Sequence, residues 1–227
     1  KQFTLIMGQK NQLWWDLPVI ETYELNKAIY EIPEAHYKKT LSELTELLGV
    51  GDLLSTQVRK LSLGERMKCE LIASLLHEPK ILFLDEPTIG LDVVSQQKIR
   101  EFLKWYNHST GATIILTSHY MEDIRRLCER VIIIDHGALI YDGTYKKLVE
   151  KYADTKTIEL VLREPVAEEA LKKLGTLVEH RDLFARLVVP RSKIAEVTTN
   201  LLSDLPVEDI SIHEKSMERI VSDIFQQ

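Results

Sequence analysis

The stretch from Ile81 to Asp92 reads ILFLDEPTIGLD, and LSLGE, Leu61 to Glu65, stands shortly before it. An apolar run ending in two adjacent carboxylates, Asp85 and Glu86, reads as a buried strand that delivers acid groups to a nucleotide site. That pairing points to phosphoryl chemistry. No glycine-rich phosphate loop of the GxxxxGK(S/T) type occurs in the 227 residues, so one part of such a site is missing from this sequence.

Strands and helices alternate around that run. Phe3 to Met7 reads as a short strand, followed by a polar turn, GQKNQ, and then LWWDLPV. From Glu21 to Leu54 the pattern is helical, with Leu41, Leu44, Leu47 and Leu48 on one face. Met67 to Leu76 continues as a helix with Leu71, Ile72, Leu75 and Leu76 apolar. Ile81–Asp85 is a strand, Ser95–Asn107 a helix and Thr113–Ser118 a strand. A helix at Met121–Glu129, with Met121, Ile124, Leu127 and Cys128 inward, leads to a strand at Val131–Asp135. The runs ILFL, TIIL and VIII are continuous rather than alternating, as expected of parallel strands covered on both faces. Phosphate chemistry in such α/β folds lies beyond the carboxyl ends of the strands. Asp85, Glu86 and His119 all fall there.

From about Thr155 the texture changes. Ile158, Leu160 and Leu162 alternate with polar residues, as do Ile210 and Ile212, so these strands have one wet face. Between them come a helix around Ala167–Leu174, a hairpin spanning Thr176–Val189 and a helix around Ile194–Leu202; a last helix is expected at Ser216–Phe225. The βαββαβ order suggests a small ferredoxin-like α+β domain over residues 155–227, after a nucleotide-type domain over residues 1–150. The tail carries no catalytic constellation and reads as a docking or dimerisation element.

Composition narrows the partners. The net charge of −6 disfavours a nucleic-acid partner. No apolar run approaches the roughly 18 residues of a membrane span. Cys69 and Cys128, far apart within helical patterns, read as reduced, buried thiols. The chain opens KQFTLIMGQ, with no basic-then-apolar leader and no initiator Met.

LSLGERMKCELIASLLHEPKILFLDEPTIGLD followed by TIILTSHYMEDIRRLCERVIIIDHGALIYDGT resembles the ATP-binding subunit of an ABC transporter. By that resemblance the first string holds the signature motif, the Walker B strand and the D-loop, and the second holds the switch histidine. GQKNQLWWDLPV is similar to the Q-loop of the branch that pairs with ABC-2 type export permeases. The likeness runs from Phe3 to Leu148, and the tail looks like an accessory domain of such subunits. It implies an α/β ABC ATPase core, incomplete at the N-terminus, whose parallel sheet is flanked by helices and joined by a helical subdomain bearing the signature.

The resemblance also implies roles. Asp85 would hold Mg²⁺, largely through water because magnesium dehydrates reluctantly. Glu86 would polarise the attacking water as general base. Gln9 would contact metal and water and report nucleotide occupancy to the permease; Gln12 lies close by, and spacing back from LPV favours Gln9. His119 would donate a hydrogen bond to the γ-phosphate and steady the water–Glu86 geometry. Ser62 and Gly64 would bind the γ-phosphate of the ATP held by a partner subunit, through a hydroxyl, amides and a helix N-terminus. Asp92 would cross the dimer interface, and it also reads as a helix N-cap for Val93 onward. The common signature is LSGGQ; here Leu63 replaces a glycine and Glu65 the glutamine. Leu63 is tolerable if it points away from the phosphate, and Glu65 if Arg66 or Lys68 offsets its charge. Trp14 and Trp15 read either as core or as part of a groove for a permease coupling helix.

The family's phosphate loop and adenine-stacking aromatic both precede the Q-loop, so N-terminal truncation is the simplest account of their absence. Phosphoryl transfer rests on positioning and charge neutralisation, and these residues alone are expected neither to bind ATP tightly nor to hydrolyse it. The function implied is an ATP-hydrolysing subunit of an export transporter, using ATP and Mg²⁺. Its implied partners are a second ATP-binding subunit and a transmembrane permease that holds it at the inner face of the cell membrane. A soluble ABC ATPase of translation or DNA repair is the rival, disfavoured by the single signature, the absence of long heptads and the acidic balance. A regulatory, non-hydrolysing module is the other alternative.

Overall fold

The computed structural model describes residues 2–152, 154–215 and Ile220. Apart from Ile220, the expected helix Ser216–Phe225 lies outside them. The chain forms two compact units, Lys1–Cys128 and Glu129–Gln227. No helix among the described residues is long and apolar enough to cross a membrane.

In the first unit, β1 (Phe3–Met7) leads through the GQKNQ turn to α1 (Val19–Tyr30) and α2 (Glu34–Leu48). The single helical stretch expected over Glu21–Leu54 is thus two helices. Glu31 takes a left-handed conformation (φ 56°), and Pro33 caps α2. Proline bars the helical conformation from the residue before it, which is why the run breaks there. Leu44 and Leu48 are buried on α2, with Leu41 and Leu47 half-buried beside them.

Next come α3 (Leu63–Leu75), β2 (Ile81–Asp85), α4 (Val93–Thr110), β3 (Thr113–Thr117) and α5 (Met121–Leu127). The three strands form one parallel sheet in the order β1-β2-β3. Its register aligns Met7 with Asp85, and Asp85 with Thr117, so the three carboxyl ends lie side by side. Ile6, Leu82 and Leu84 point into a core shared with Leu71, Ile72 and Leu75 of α3 and Ile99 and Leu103 of α4.

The expectation that ILFL and TIIL are covered on both faces does not hold. Burial along β2 alternates, leaving Phe83 36% and Ile115 of β3 50% exposed. A continuous apolar run satisfies one covered face as well as two. Cys69 is buried and Cys128 half-buried, and neither forms a disulfide.

The second unit opens with β4 (Arg130–Asp135), which pairs antiparallel with β5 (Ala138–Thr144) before α6 (Tyr145–Tyr152). The run VIII therefore belongs to an antiparallel hairpin, not to a parallel strand as expected. The turn residues His136 (φ 46°) and Gly137 (φ 77°) both take the left-handed conformation that closes two-residue hairpins.

β6 (Thr155–Leu162), α7 (Glu168–Lys172), β7 (Thr176–Arg181), β8 (Phe184–Pro190), α8 (Ile194–Asp204) and β9 (Val207–Glu214) follow. They build an antiparallel sheet in the order β7-β8-β6-β9, the ferredoxin-like arrangement. Ile158, Leu160 and Leu162, fully buried at alternate positions, pack with Leu187, Leu171 and Leu201. On the other face Arg186 pairs with Glu159 at 2.9 Å and Glu179 at 2.7 Å, linking three strands.

Candidate functional site

Asp85 ends β2 and Thr117 ends β3 in adjacent register. The Thr117 hydroxyl donates to Asp85 Oδ1 at 2.6 Å, which turns the carboxylate to the carboxyl end of the sheet. At Glu86 the chain leaves the strand with φ 52°, a left-handed conformation uncommon for a residue with a side chain. Two bonds hold it there: its N–H donates to the Thr117 carbonyl at 3.1 Å and to Thr117 Oγ1 at 3.2 Å. Strained backbone of this kind clusters at functional sites, where surrounding contacts over-determine it.

The Glu86 carboxylate meets His119. One oxygen accepts the His119 backbone N–H at 3.0 Å, and the other lies 3.4 Å from the ring Nε2. The Glu86 side chain is 13% exposed, whereas that of His119 is 87% exposed. A ring open to solvent and a sheltered carboxylate behind it suit a donor that faces a phosphate while the acid faces water.

Gln9 follows Gly8 in the turn after β1, and the Gly8 N–H donates to the Asp85 carbonyl at 2.8 Å. The turn is therefore locked to the end of β2. Gly8 has no room for a side chain: a Cβ there would overlap the Glu86 carbonyl oxygen and sit 2.9 Å from the carbonyl carbon and 3.1 Å from Ile89 Cγ2. Gln12, the other Q-loop candidate, is turned away. Its side-chain amide donates to the Leu5 carbonyl at 2.9 Å, and its N–H to Glu70 Oε1 at 3.2 Å.

Glu70 is buried in α3, with Arg66 Nε 3.5 Å away. Burial pushes its carboxyl up to about 7, against the lowering pull of the Gln12 amide and of Arg66. A folded-state value above the unfolded one means that stability is highest below about pH 4.5, declines as pH rises and is lowest above about 7. The difference is on the order of 3 kcal/mol. Glu70→Gln keeps an acceptor for Gln12 without the charge. It is expected to raise the melting temperature by about 5 °C at pH 8 and to change it little at pH 4.5, read from thermal melts at both values.

Ser62 and Gly64 do not join this cluster. Ser62 caps α3: its Oγ accepts the Glu65 N–H at 3.3 Å, and Glu65 Oε2 accepts from the Ser62 N–H and hydroxyl, both at 2.8 Å. Glu65 thus completes a capping box, a place that glutamine or glutamate can fill. The Ser62 bonds hold the Glu65 carboxyl below its ordinary value, with a smaller pull from Lys68. Arg66 is turned instead towards Glu70.

The start of α3 packs on the loop before α4. A Cβ on Gly64 would come within 2.9 Å of Ser95 Cβ, and one on Gly90 within 3.1 Å of Leu63 Cδ2. Asp92 caps α4, accepting the Ser95 N–H at 2.9 Å and the Ser95 hydroxyl at 2.6 Å, so its reading as an N-cap holds. The candidates thus fall into two clusters joined by the segment from Pro87 to Leu91. One holds Asp85, Glu86, His119 and the Gly8–Gln9 turn; the other holds Ser62, Gly64 and Asp92.

Trp14 and Trp15 are 56% and 49% exposed and do not form the core. Their segment is strapped to the approach to α3, where Arg59 N–H donates to the Trp15 carbonyl at 3.0 Å and Val58 N–H to the Leu17 carbonyl at 3.1 Å. Sequence reasoning missed Thr117, Gly8 and a buried acid, Asp123. Thr117 and Gly8 stand beside Ser118–His119 and Gln9, so adjacency to named motif residues was the available signal.

A parallel α/β sheet with an Asp–Glu pair and a histidine at its carboxyl ends has the layout of a nucleotide-phosphohydrolase fold. Comparisons give the class its family. Residues 154–213 match the model described as "EvrA-like ABC transporter, C-terminal domain", and residues 21–122 match "AAA domain, putative AbiEii toxin, Type IV TA system". The chain is 30% identical to the linearmycin resistance ATP-binding protein LnrL of Bacillus subtilis, over 97% of this chain and 73% of that protein. It is 27% identical to the ABC-type organic anion transporter ABCA8B of Mus musculus, over 96% of this chain but 14% of that one. A solved ATP-binding subunit of an ABC transporter superposes with a TM-score of 0.59 at 25% identity, covering 66% of this chain and 62% of the other. The chain belongs to the ATP-binding subunits of ABC transporters, a family of ATPases.

Proposed function

We propose that this chain is an ATP-hydrolysing subunit of an export transporter, working as one of two ATP-binding subunits that close head to tail over two ATP molecules. One observation carries the reading: Glu86 and His119 meet at the strand ends beside Asp85, while Ser62 and Gly64 sit apart, against the loop of Asp92. A γ-phosphate motif that stands apart from its own chain's acids suits a site completed by a second chain.

Asp85 suits Mg²⁺. Oδ1 takes only the Thr117 hydroxyl, which leaves hard oxygen donors at an exposed strand end. No cluster of three or more potential ligands surrounds it among the described residues, in keeping with an ion held by few protein groups, water and phosphate. The bound ion would neutralise phosphate charge. Glu86 takes the proton of the attacking water, and His119, fixed through its own N–H, aims its ring at the phosphate. Gln9, in the Gly8 turn that is bonded to Asp85, would contact metal and water when they are bound. Ser62 and Gly64 serve the partner's ATP, and Asp92 lies at the subunit interface.

The partner we assign is a transmembrane permease, which places the subunit at the cytoplasmic face of the cell membrane. The exposed indoles of Trp14 and Trp15 beside the Q-loop supply the apolar contact such docking requires. We set the domain limits at residues 1–150 and 155–227; the family match over 154–213 supports the second, while the compact units of the fold divide earlier, between Cys128 and Glu129. No nucleic acid is involved, in keeping with the net charge of −6.

The subunit, co-expressed with a membrane protein of six hydrophobic spans as its permease, is expected to purify as a complex whose Mg²⁺-dependent ATP turnover exceeds that of the subunit alone. A subunit that comes away with RNA, or turns over at the same rate with and without the membrane protein, would refute the proposal.

A further inference from the structure

Asp123 has no part in the chemistry above, yet it is completely buried on α5. Its Oδ2 accepts from Thr88 Oγ1 at 2.5 Å and from Ser118 Oγ at 2.6 Å, and its Oδ1 accepts from Arg100 Nε at 2.5 Å. Arg100 is itself 7% exposed, so the two charges compensate each other away from water. Gln96 extends the network. Its amide donates to the carbonyls of Thr88 and Leu91, both at 3.3 Å, and its Oε1 accepts from Arg100 Nη2 at 3.1 Å.

The members come from the segments that carry Glu86, His119 and Asp92. Thr88 stands two residues after Glu86, and Ser118 immediately precedes His119. Arg100 and Gln96 lie on α4, the helix that Asp92 caps. Leu91 is the residue before Asp92. Removing one partner from a buried, charged network leaves the rest unpaired at a cost well above that of a surface bond.

We propose that Asp123 is a positioning residue that fixes the Glu86 loop and the His119 loop to each other and to the Asp92 end of α4. A displacement at Asp92 is then delivered to the Glu86–His119 pair through Gln96, Arg100 and Asp123. This rests on the reading of Glu86 and His119 as the hydrolytic pair.

Two measurements test it. In the 227-residue chain without nucleotide, Thr88→Val should speed amide exchange of residues 118–120, across the network, about tenfold, and leave the middle of α3 unchanged. Unchanged exchange at 118–120 would overturn the proposal. In the subunit assembled with its permease, Asp123→Asn and the milder Ser118→Ala should each lower kcat about tenfold with KM for ATP within about twofold. A loss that only tracks the folded fraction, measured by thermal melting, would make Asp123 a packing residue and overturn the assignment. Ser118→Ala keeps the Arg100–Asp123 pair and so guards against a variant that does not fold. Wild-type assemblies with no ATP turnover would remove the hydrolytic reading, while the exchange result would still decide whether Asp123 joins the loops.

Discussion

Glu86→Gln is expected to lower ATP turnover of the assembled transporter by about 10²–10⁴-fold, the usual worth of a positioned general base. Binding should survive. The substitution keeps the shape and an oxygen to accept the His119 N–H, a bond of 3.0 Å in the wild type. What it removes is the capacity to take a proton from water. Closed, ATP-loaded subunits should therefore accumulate, and single-turnover kinetics beside equilibrium ATP binding separate the two effects. Turnover within threefold of wild type would take the base role away from Glu86. Asp85 could not replace it by simple rotation, because Thr117 ties that carboxylate at 2.6 Å.

Gly8→Ala is expected to cost about 10²-fold in turnover although no atom of Gly8 touches the reactants, since an ångström of misplacement is enough. The added methyl would overlap the Glu86 carbonyl oxygen. One of the two must move. Gly8 is held by its N–H to the Asp85 carbonyl at 2.8 Å, so much of the displacement falls on Glu86, already at φ 52°. The check is a crystal structure or amide shifts of the variant, with a shifted Glu86 peptide expected, alongside kcat. An unmoved Glu86 with full turnover would show that the turn yields instead.

Much of this could be read from the sequence, for identifiable reasons. β1 and β2 have the expected bounds, Phe3–Met7 and Ile81–Asp85. The ferredoxin-like arrangement followed from the βαββαβ element order, and the wet and buried faces from period-two alternation at Ile158, Leu160 and Leu162, which are fully buried. Asp85 and Glu86 stood out as a carboxylate pair ending an apolar run and His119 through its likeness to the family's switch histidine, and all three fall at the strand ends.

Other features escaped for equally physical reasons. A continuous apolar run such as VIII does not state the direction of its neighbour, although the His136–Gly137 pair was a hairpin signal within reach. Asp123 was hidden by its own charge: on a helix read as turning Met121, Ile124 and Leu127 inward, a carboxylate is assigned to solvent. Its three partners lie 5, 23 and 35 residues away, and only the fold brings them together. The Gly8 constraint was equally invisible, because it depends on a backbone carbonyl from another strand end.

The strap between Leu13–Pro18 and Gln57–Lys60 has a mechanical consequence. Main-chain bonds from Val58 and Arg59 leave this crossing little freedom to slide. The indoles stand outward on one side of it, and Ser62 begins a helix three residues beyond Arg59 on the other. A force on Trp14 or Trp15 therefore reaches the start of α3 without passing through the sheet. On the proposed function the tryptophans would be a handle on the motif that serves the opposite subunit's nucleotide, so that a permease gripping them on one subunit would pull on the other subunit's phosphate site before that subunit's own.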